Sequence, residues 1–296
     1  MATRIALCRD EWSAQLAPEI GGAILSLAWR DSAILRPTPA EAVQRGEVRR
    51  TACYPLVPYA NRIARGRFRW AGRDHVLRAN FPVGAHPLHG VGWRRPWQVE
   101  RADEARCELR LAHRPQGEDA LDWPFAFDAI ETFTLTPQGL CISLEARNLE
   151  PAAVPLGFGL HPLFVRAGGE VLRFAADGCW RNGEDELPAE LVADPSWDHA
   201  RGRPLGSPPL DNDFVGWDGV ASIVGADGLE IRITASADLP VLRVFTPSGR
   251  DFFGVEPVSH IADAINRADL AAGRMALVPP GGRIGGSVTI GVEHNP

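Results

Sequence analysis

The 296-residue chain contains no lysine, so all 31 of its basic residues are arginines. This absence excludes chemistry that needs a side-chain amine: Schiff bases, lysine-bound pyridoxal phosphate and the P-loop of nucleotide-binding proteins. The five cysteines are widely separated and never form a Cys-x-x-Cys pair. Neither a disulfide framework nor a zinc site is therefore indicated.

Long apolar runs and an excess of positive charge are also missing. Residues 1–10 carry Arg4, Arg9 and Asp10, and no later segment reaches membrane-spanning length, so we expect neither a secretory signal nor a membrane contact. Acidic residues outnumber basic ones, 37 to 31, with a net charge of −6, which argues against a nucleic-acid partner. We predict a cytoplasmic protein with a small-molecule partner, either a monomer or a homodimer.

Apolar and polar residues alternate with a period of two, which is typical of β-strands. One hairpin is predicted from residues 127–135 and 140–144 around a turn at 136–139, and a second from residues 68–70 and 76–77. Further strands are predicted at residues 24–29, 108–112, 230–234, 241–246 and 287–292. The 30 glycines and 25 prolines favour many turns and few long helices.

A single short helix is predicted over residues 259–268, with Ser259 as its N-cap and Ile261, Ala264 and Ile265 on its apolar side. No stretch has the composition of a linker, and no repeat of fixed period is visible. We therefore predict one domain over residues 1–296, a large and mostly antiparallel β-sandwich.

Five segments combine rigid backbone residues with a histidine, arginine, aspartate or glutamate. They are Asn61-Arg62-Ile63, His86-Pro87-Leu88-His89-Gly90, Gly159-Leu160-His161-Pro162, Asp211-Asn212-Asp213-Phe214 and Val255-Glu256-Pro257-Val258-Ser259. Each segment alone is also consistent with a turn, a solvated loop or a satisfied core histidine. Together they have a composition better suited to a site than to simple turns, since histidine changes its charge nearest neutral pH.

In this order, and preceded by Gly21-Gly22, the segments resemble the motifs of the aldose 1-epimerase (galactose mutarotase) family, in particular its bacterial subgroup with shortened loops. The resemblance extends from Gly21 to Val292. It implies the large antiparallel β-sandwich of the family, with an aldose bound in a cleft on the concave face of one sheet.

The resemblance also implies roles for individual residues. His161 matches the general acid that protonates the ring oxygen of the sugar, and Glu256 matches the general base that takes the proton of the anomeric hydroxyl. Arg62 and His89 match residues that contact the sugar, and Asn61 is expected to support their loop.

At two places the resemblance has to distinguish between two residues of the same type in one segment. Asp211 is preferred to Asp213 for holding sugar hydroxyls because Asp-x-x-Phe is the matching pattern, and His86 is expected to be a loop residue, unlike His89. No aromatic residue is assigned to face the sugar ring.

Anomer interconversion needs one acid and one base, which open the ring to an aldehyde and reclose it. We therefore expect no metal, nucleotide or other cofactor. Two alternatives stay open: a glycoside hydrolase or lyase that uses Glu256 with Asp211 as its two carboxylates, and a non-catalytic sugar-binding protein.

Arg243 departs from the pattern, because better-known members of the family carry a sugar-contacting glutamine at the place that Arg243 matches in the resemblance. Pointing into the cleft, Arg243 would join Arg62 in lowering the pKa of Glu256 and in favouring an anionic substrate. We favour the alternative in which Leu242 and Val244 face inward and Arg243 lies on the wet face of its strand.

Overall fold

The structure, a computed structural model, describes residues 3–81, 84–193, 197–206 and 209–293. Strands predominate in these ranges and helices are short. The strands are β1 (Ile5–Arg9), β2 (Trp12–Ala17), β3 (Ala23–Trp29), β4 (Ser32–Ala33), β5 (Pro55–Leu56), β6 (Arg67–Trp70), β7 (Arg73–Val76), β8 (Gln98–Ala102), β9 (Arg106–His113), β10 (Phe127–Thr136), β11 (Gly139–Asn148), β12 (Val154–Leu156), β13 (Gly159–Leu160), β14 (Leu163–Val165), β15 (Val171–Phe174), β16 (Gly178–Asn182), β17 (Pro188–Val192), β18 (Arg203–Pro204), β19 (Asp211–Val215), β20 (Val220–Val224), β21 (Glu230–Ala235), β22 (Val241–Phe245), β23 (Phe252–Val258), β24 (Ala276–Val278) and β25 (Arg283–Glu293).

Two large antiparallel sheets form a β-sandwich. One has nine strands in the order β18-β15-β20-β21-β25-β11-β10-β9-β8, and the other has the order β17-β16-β19-β22-β23-β13-β5, with β14 also paired to β23. A four-stranded sheet, β1-β2-β3-β4, and the pairs β12-β24 and β6-β7 complete the set. The predicted all-β class and sandwich are confirmed.

The alternating residues of the facing strands build a common core. Phe133 on β10 and Ile142 on β11 are directly paired and fully buried, and they belong to the same apolar cluster as Leu242, Val244 and other residues of the second sheet. Both predicted hairpins are confirmed as β10–β11 and β6–β7. The other predicted strands correspond to β3, β9, β21, β22 and β25, although the one predicted at 241–246 ends one residue earlier, at Phe245.

The predicted helix over residues 259–268 is wrong. Only Ala264–Asn266 is helical there, as one turn of 3-10 helix. Ser259 does not cap it, because its hydroxyl instead accepts a hydrogen bond from the backbone N–H of Phe158 (2.9 Å). The segment is held in turns by contacts with distant parts of the chain, which local propensity does not reveal.

The α-helix of the described residues, α1 (Ala40–Arg45), was not predicted. It spans only six residues and ends at Gly46, whose left-handed backbone (φ 65°) suits glycine. The other helical turns are 3-10 turns at Val48–Arg50, Ala64–Gly66, Gly92–Arg94 and Gly117–Leu121. None of the helices in the described ranges is long and apolar enough to cross a membrane.

Candidate active site

A cavity of about 830 Å³ opens on the face of the second sheet that points away from the core. Its floor carries Asp211 from β19, Arg243 from β22 and Glu256 from β23. Strand register brings these groups together, because Arg243 is paired with Glu256 on one side and with Asp213 on the other. Three neighbouring strands thus place charged side chains in one row across the cavity floor.

Glu256 is the most buried of the charged groups that line the cavity, with 1% of its surface exposed. Neither carboxylate oxygen has a hydrogen-bond partner, and Oε1 lies 3.4 Å from Nε2 of His161. Room for the carboxylate is made by Gly254, since a Cβ there would lie 2.5 Å from Oε1. Glycine two residues before Glu256 on the same face of β23 is therefore a requirement of the site.

His161 follows β13 and is held from two sides. Its backbone N–H donates to the carbonyl of Tyr54 (3.0 Å), and its ring is stacked on the Tyr54 ring with centroids 4.5 Å apart. The Nδ1 atom is buried without a partner. The imidazole is thus fixed in orientation, with Nε2 towards Glu256 and Nδ1 buried.

Burial shifts the acid and the base in opposite directions. Desolvation lowers the pKa of His161 to about 3 and raises the pKa of Glu256 well above its ordinary value, against the opposing effect of Arg243. Arg243 and Arg62 do act to lower the pKa of Glu256, as expected, but loss of water outweighs their attraction and the net shift is upward. Both shifts favour the neutral form of the pair.

Arg243 is buried, with 3% of its surface exposed, so the expectation that it lies on a wet face is wrong. Leu242 and Val244 do face the core, as the alternation predicts. The opposite face of β22 forms the cavity floor, and there the guanidinium donates to Asp213 (2.8 Å) and Asp211 (2.5 Å). Two carboxylates therefore neutralise this arginine.

The two aspartates have different positions. Asp213 is buried, and its second oxygen accepts the backbone N–H of Ala262 (2.8 Å). Asp211 lines the cavity, with its other oxygen 3.5 Å from a guanidinium nitrogen of Arg62. Although burial alone would raise the pKa of Asp211, Arg243 and Arg62 hold it below its ordinary value.

Arg62, Asn61 and His89 form the adjoining wall of the cavity. Asn61 accepts hydrogen bonds from the backbone N–H (2.7 Å) and side chain (3.3 Å) of Arg62, and its own N–H donates to Nδ1 of His89 (3.0 Å). His89 therefore carries its hydrogen on Nε2, and burial lowers its pKa well below the ordinary value. Both Asn61 and His89 have left-handed backbones (φ 60°), a conformation that asparagine and histidine adopt more readily than most non-glycine residues.

The structure thus brings all seven candidate residues to one cavity and leaves His86 in a loop, where it accepts the backbone N–H of Arg65 (2.7 Å). Sequence reasoning missed the aromatic lining: Tyr54, Phe81, Trp93, Phe245 and Phe252. It also missed Gly254, although a glycine two residues before a proposed catalytic carboxylate in a strand is a readable signal. In the described part of the chain, no group of three or more His, Cys, Asp or Glu side chains is arranged to hold a metal ion.

Comparisons with known proteins agree with this architecture. An uncharacterized Escherichia coli K12 protein, YphB, is 30% identical over 290 residues, covering 92% of this chain and 93% of its own. The crystal structure of an E. coli K12 protein provisionally assigned as an aldose 1-epimerase superposes with a TM-score of 0.89 at 27% identity, over 100% of both chains. A galactose mutarotase-like protein from Clostridium acetobutylicum has the same fold, with a TM-score of 0.87 at 19% identity, over 99% of this chain and 96% of its own.

The family model for aldose 1-epimerase matches residues 4–289, nearly the whole chain, in agreement with the order of the motifs that form the cavity. The chain therefore belongs to the aldose 1-epimerase family.

Proposed function

We propose that the protein interconverts the α and β anomers of an aldose. The observation that carries the proposal is the buried, unpartnered carboxylate of Glu256, 3.4 Å from the imidazole of His161 on the floor of an open cavity. Burying a carboxylate without partners costs stability, and the hydroxyls of a bound sugar would supply the missing hydrogen bonds. The site is thus suited to a polar ligand with many hydroxyl groups.

The reaction balances with these two groups alone. Glu256 takes the proton of the C1 hydroxyl while His161 gives a proton to the ring oxygen, the bond between C1 and the ring oxygen breaks, and an open-chain aldehyde forms. After rotation about the C1–C2 bond the same steps run backwards, returning both protons. Each proton-transfer group typically contributes about 100- to 10,000-fold.

The productive protonation state has Glu256 ionised and His161 protonated, opposite to the state that burial alone favours. Hydrogen bonds from a sugar to the carboxylate stabilise its ionised form and so lower the pKa of Glu256. The elevated pKa of Glu256 makes it a stronger base, and the low pKa of His161 makes its protonated form a stronger acid.

Arg62, His89 and Asp211 would hold the sugar. The Nε2–H of His89 is a hydrogen-bond donor, and Asp211 is an ionised acceptor held in place by two arginines. This arrangement speaks against the hydrolase alternative, because both oxygens of Asp211 are engaged by guanidinium groups. A carboxylate so held is poorly suited to act as a nucleophile or a proton donor.

The experiment is to dissolve α-glucose and α-galactose freshly and follow optical rotation with and without the protein. Acceleration towards the equilibrium rotation supports the epimerase, whereas binding without acceleration supports the sugar-binding alternative. Release of reducing sugar from glycosides would instead support a hydrolase.

The proposed setting of this activity is a cytoplasmic, cofactor-independent, single-domain protein that is a monomer or a homodimer. Cell fractionation, activity after chelation, limited proteolysis and light scattering test these four points separately.

A further inference from the structure

The cavity extends well beyond the acid–base pair. Its volume of about 830 Å³ lies in the upper part of the range of roughly 300–1,000 Å³ that is typical for small-molecule sites. The cavity-facing positions of β23 run from Glu256 through Gly254 to Phe252, and Phe245 is paired with Gly254 on the neighbouring strand. An aromatic platform therefore continues the floor away from the catalytic groups.

Arg36 lies at this far end. Its backbone N–H donates to the carbonyl of Leu163 (2.7 Å), a residue paired with Gly254, and its guanidinium lies 4.1 Å from the centre of the Phe252 ring. The carboxylate of Glu256 leans over Gly254, two residues from Phe252. About 7 Å of strand separates Gly254, which the Glu256 carboxylate contacts, from Phe252, whose ring lies beneath Arg36.

The guanidinium of Arg36 is half-buried, and Asp251 is the acidic residue whose charge acts on it. One nitrogen donates to the backbone carbonyls of Thr51 (2.9 Å) and Arg49 (3.1 Å), while Nε is buried and has no hydrogen-bond partner. Among the described residues Arg36 forms no ion pair, unlike Arg62 and Arg243 in the catalytic half. Burial lowers the pKa of Arg36, but a guanidinium stays charged at neutral pH.

The charges around Arg36 leave this end positive. Arg49 and Arg250 also line it, and neither forms an ion pair with a described residue. Two acidic residues line this end. Glu47 is already paired with Arg50 (3.2 Å), which leaves one carboxylate, Asp251, to balance the charges of three arginines. We call Arg36, Arg49 and Arg250 the arginine end.

We propose that the arginine end binds an anionic group carried by the sugar, on the carbon remote from C1, so that the preferred substrate is an anionic aldose. The inference rests on the proposed function and names its substrate class. A phosphate or carboxylate there would meet the guanidinium groups of the arginine end, and charge-assisted hydrogen bonds of this kind are among the stronger ones in proteins. Arg243 does not supply this charge, because Asp211 and Asp213 neutralise it.

The test measures anomer exchange at equilibrium by NMR for glucose, glucose 6-phosphate and glucuronate, which needs no pure anomer. We expect kcat/KM of the wild type to be ~10- to 100-fold higher for at least one anionic sugar than for glucose, the range expected for charge-assisted hydrogen bonds. The phosphate and carboxylate arms distinguish the two kinds of anion. The advantage should decrease as salt is added.

In Arg36→Gln the ratio of anionic to neutral kcat/KM should fall towards one, and Arg36→Lys should retain part of it. The matched control is Arg101→Gln, an exposed arginine of β8 outside the cavity, which should leave the ratio unchanged. If Arg36→Gln fails to fold, Arg49→Gln should still lower the ratio.

A wild type that exchanges glucose anomers as fast as those of both anionic sugars would overturn this inference and leave the proposed function standing. A protein that exchanges the anomers of none of the three would contradict the proposed function itself. An unchanged ratio in folded Arg36→Gln would show that Arg36 does not bind the anionic group.

Discussion

A carboxylate buried without hydrogen-bond partners destabilises a folded protein, and Glu256 is such a residue. The motif order predicted that Glu256 and His161 would be the base and the acid, and the structure brings them within 3.4 Å. Their pKa shifts could not be predicted, because burial is produced by parts of the chain distant from Glu256 in sequence. Tyr54, which orients His161, carries no sequence signal of that role.

The stability of Glu256→Gln tests the burial of this carboxylate. The folded-state pKa of Glu256 is raised above its unfolded value, so the wild type is most stable below the unfolded pKa and loses stability as pH rises through the folded one. Glu256→Gln should therefore be more stable than the wild type at pH 8, by about 0.5–2 kcal/mol, and the gap should shrink towards pH 4. Urea denaturation at both pH values measures this.

The matched comparison is Glu131→Gln. Glu131 is also a buried carboxylate with a raised pKa, but it does not line the cavity. It should show the same pH trend. If the stability difference between Glu256→Gln and the wild type instead widens as the pH falls, the assigned direction of the Glu256 pKa shift is contradicted.

The close approach of the Glu256 carboxylate to Gly254 gives a second prediction. In Gly254→Ala the new Cβ would meet Oε1 of Glu256 and displace the carboxylate, so kcat should fall by ~100-fold, since a misplacement of about 1 Å can cost that much. The control is Gly178→Ala on β16 of the same sheet, where the nearest atom is the end of a leucine side chain. Equal activity of the wild type and folded Gly254→Ala would show that the carboxylate can move without loss.

At the scale of strands and helices, alternation was a reliable guide to which side chains face the core. It placed Leu242 and Val244 inside and Arg243 on the other face. It could not show that loops from distant parts of the chain surround this other face, which therefore forms the floor of a cavity. Local patterns failed in the same way over residues 259–268, where hydrogen bonds to distant segments replace the predicted helix.

The row of charges across β19, β22 and β23 depends on Asp213, which gives the element-scale prediction. Removing it in Asp213→Ala leaves the buried guanidinium of Arg243 without one of its two carboxylates and the N–H of Ala262 without its acceptor. Breaking such a buried pair costs about 3–5 kcal/mol. Urea denaturation should show a loss of this size.

An exposed ion pair of the same sheet provides the control for Asp213→Ala. Glu190→Ala removes the partner of Arg181 at the surface and should cost at most about 1 kcal/mol. If the two variants lose equal stability, Asp213 does not stabilise the row of charged side chains across β19, β22 and β23.

At the scale of the whole molecule, the sandwich was predictable because its cause is distributed along the chain: alternating strands, frequent turns and few helix signals. The arginine end was not predictable, because Arg36 and Phe252 are far apart in sequence and meet only through the pairing of β14 with β23. The core and the candidate active site thus lie on opposite faces of the second sheet.

This separation predicts that a core substitution will affect stability and leave chemistry intact. Phe133 is fully buried in the core and is absent from the cavity lining. Phe133→Ala should lose about 3–5 kcal/mol of stability, while kcat of the folded fraction stays within about threefold of the wild type. A large fall in kcat with folding intact would show that the core and the site are coupled.

The most direct test of the central claim, that Glu256 performs the proton transfer, compares Glu256→Gln with Glu131→Gln in an anomer-exchange assay, with sugar binding measured by calorimetry. Our account predicts that Glu256→Gln binds the sugar but loses ~100- to 10,000-fold in kcat. Glu131→Gln should keep the wild-type rate. A folded Glu256→Gln that turns over at the wild-type rate, or an equal loss in both variants, would contradict the account.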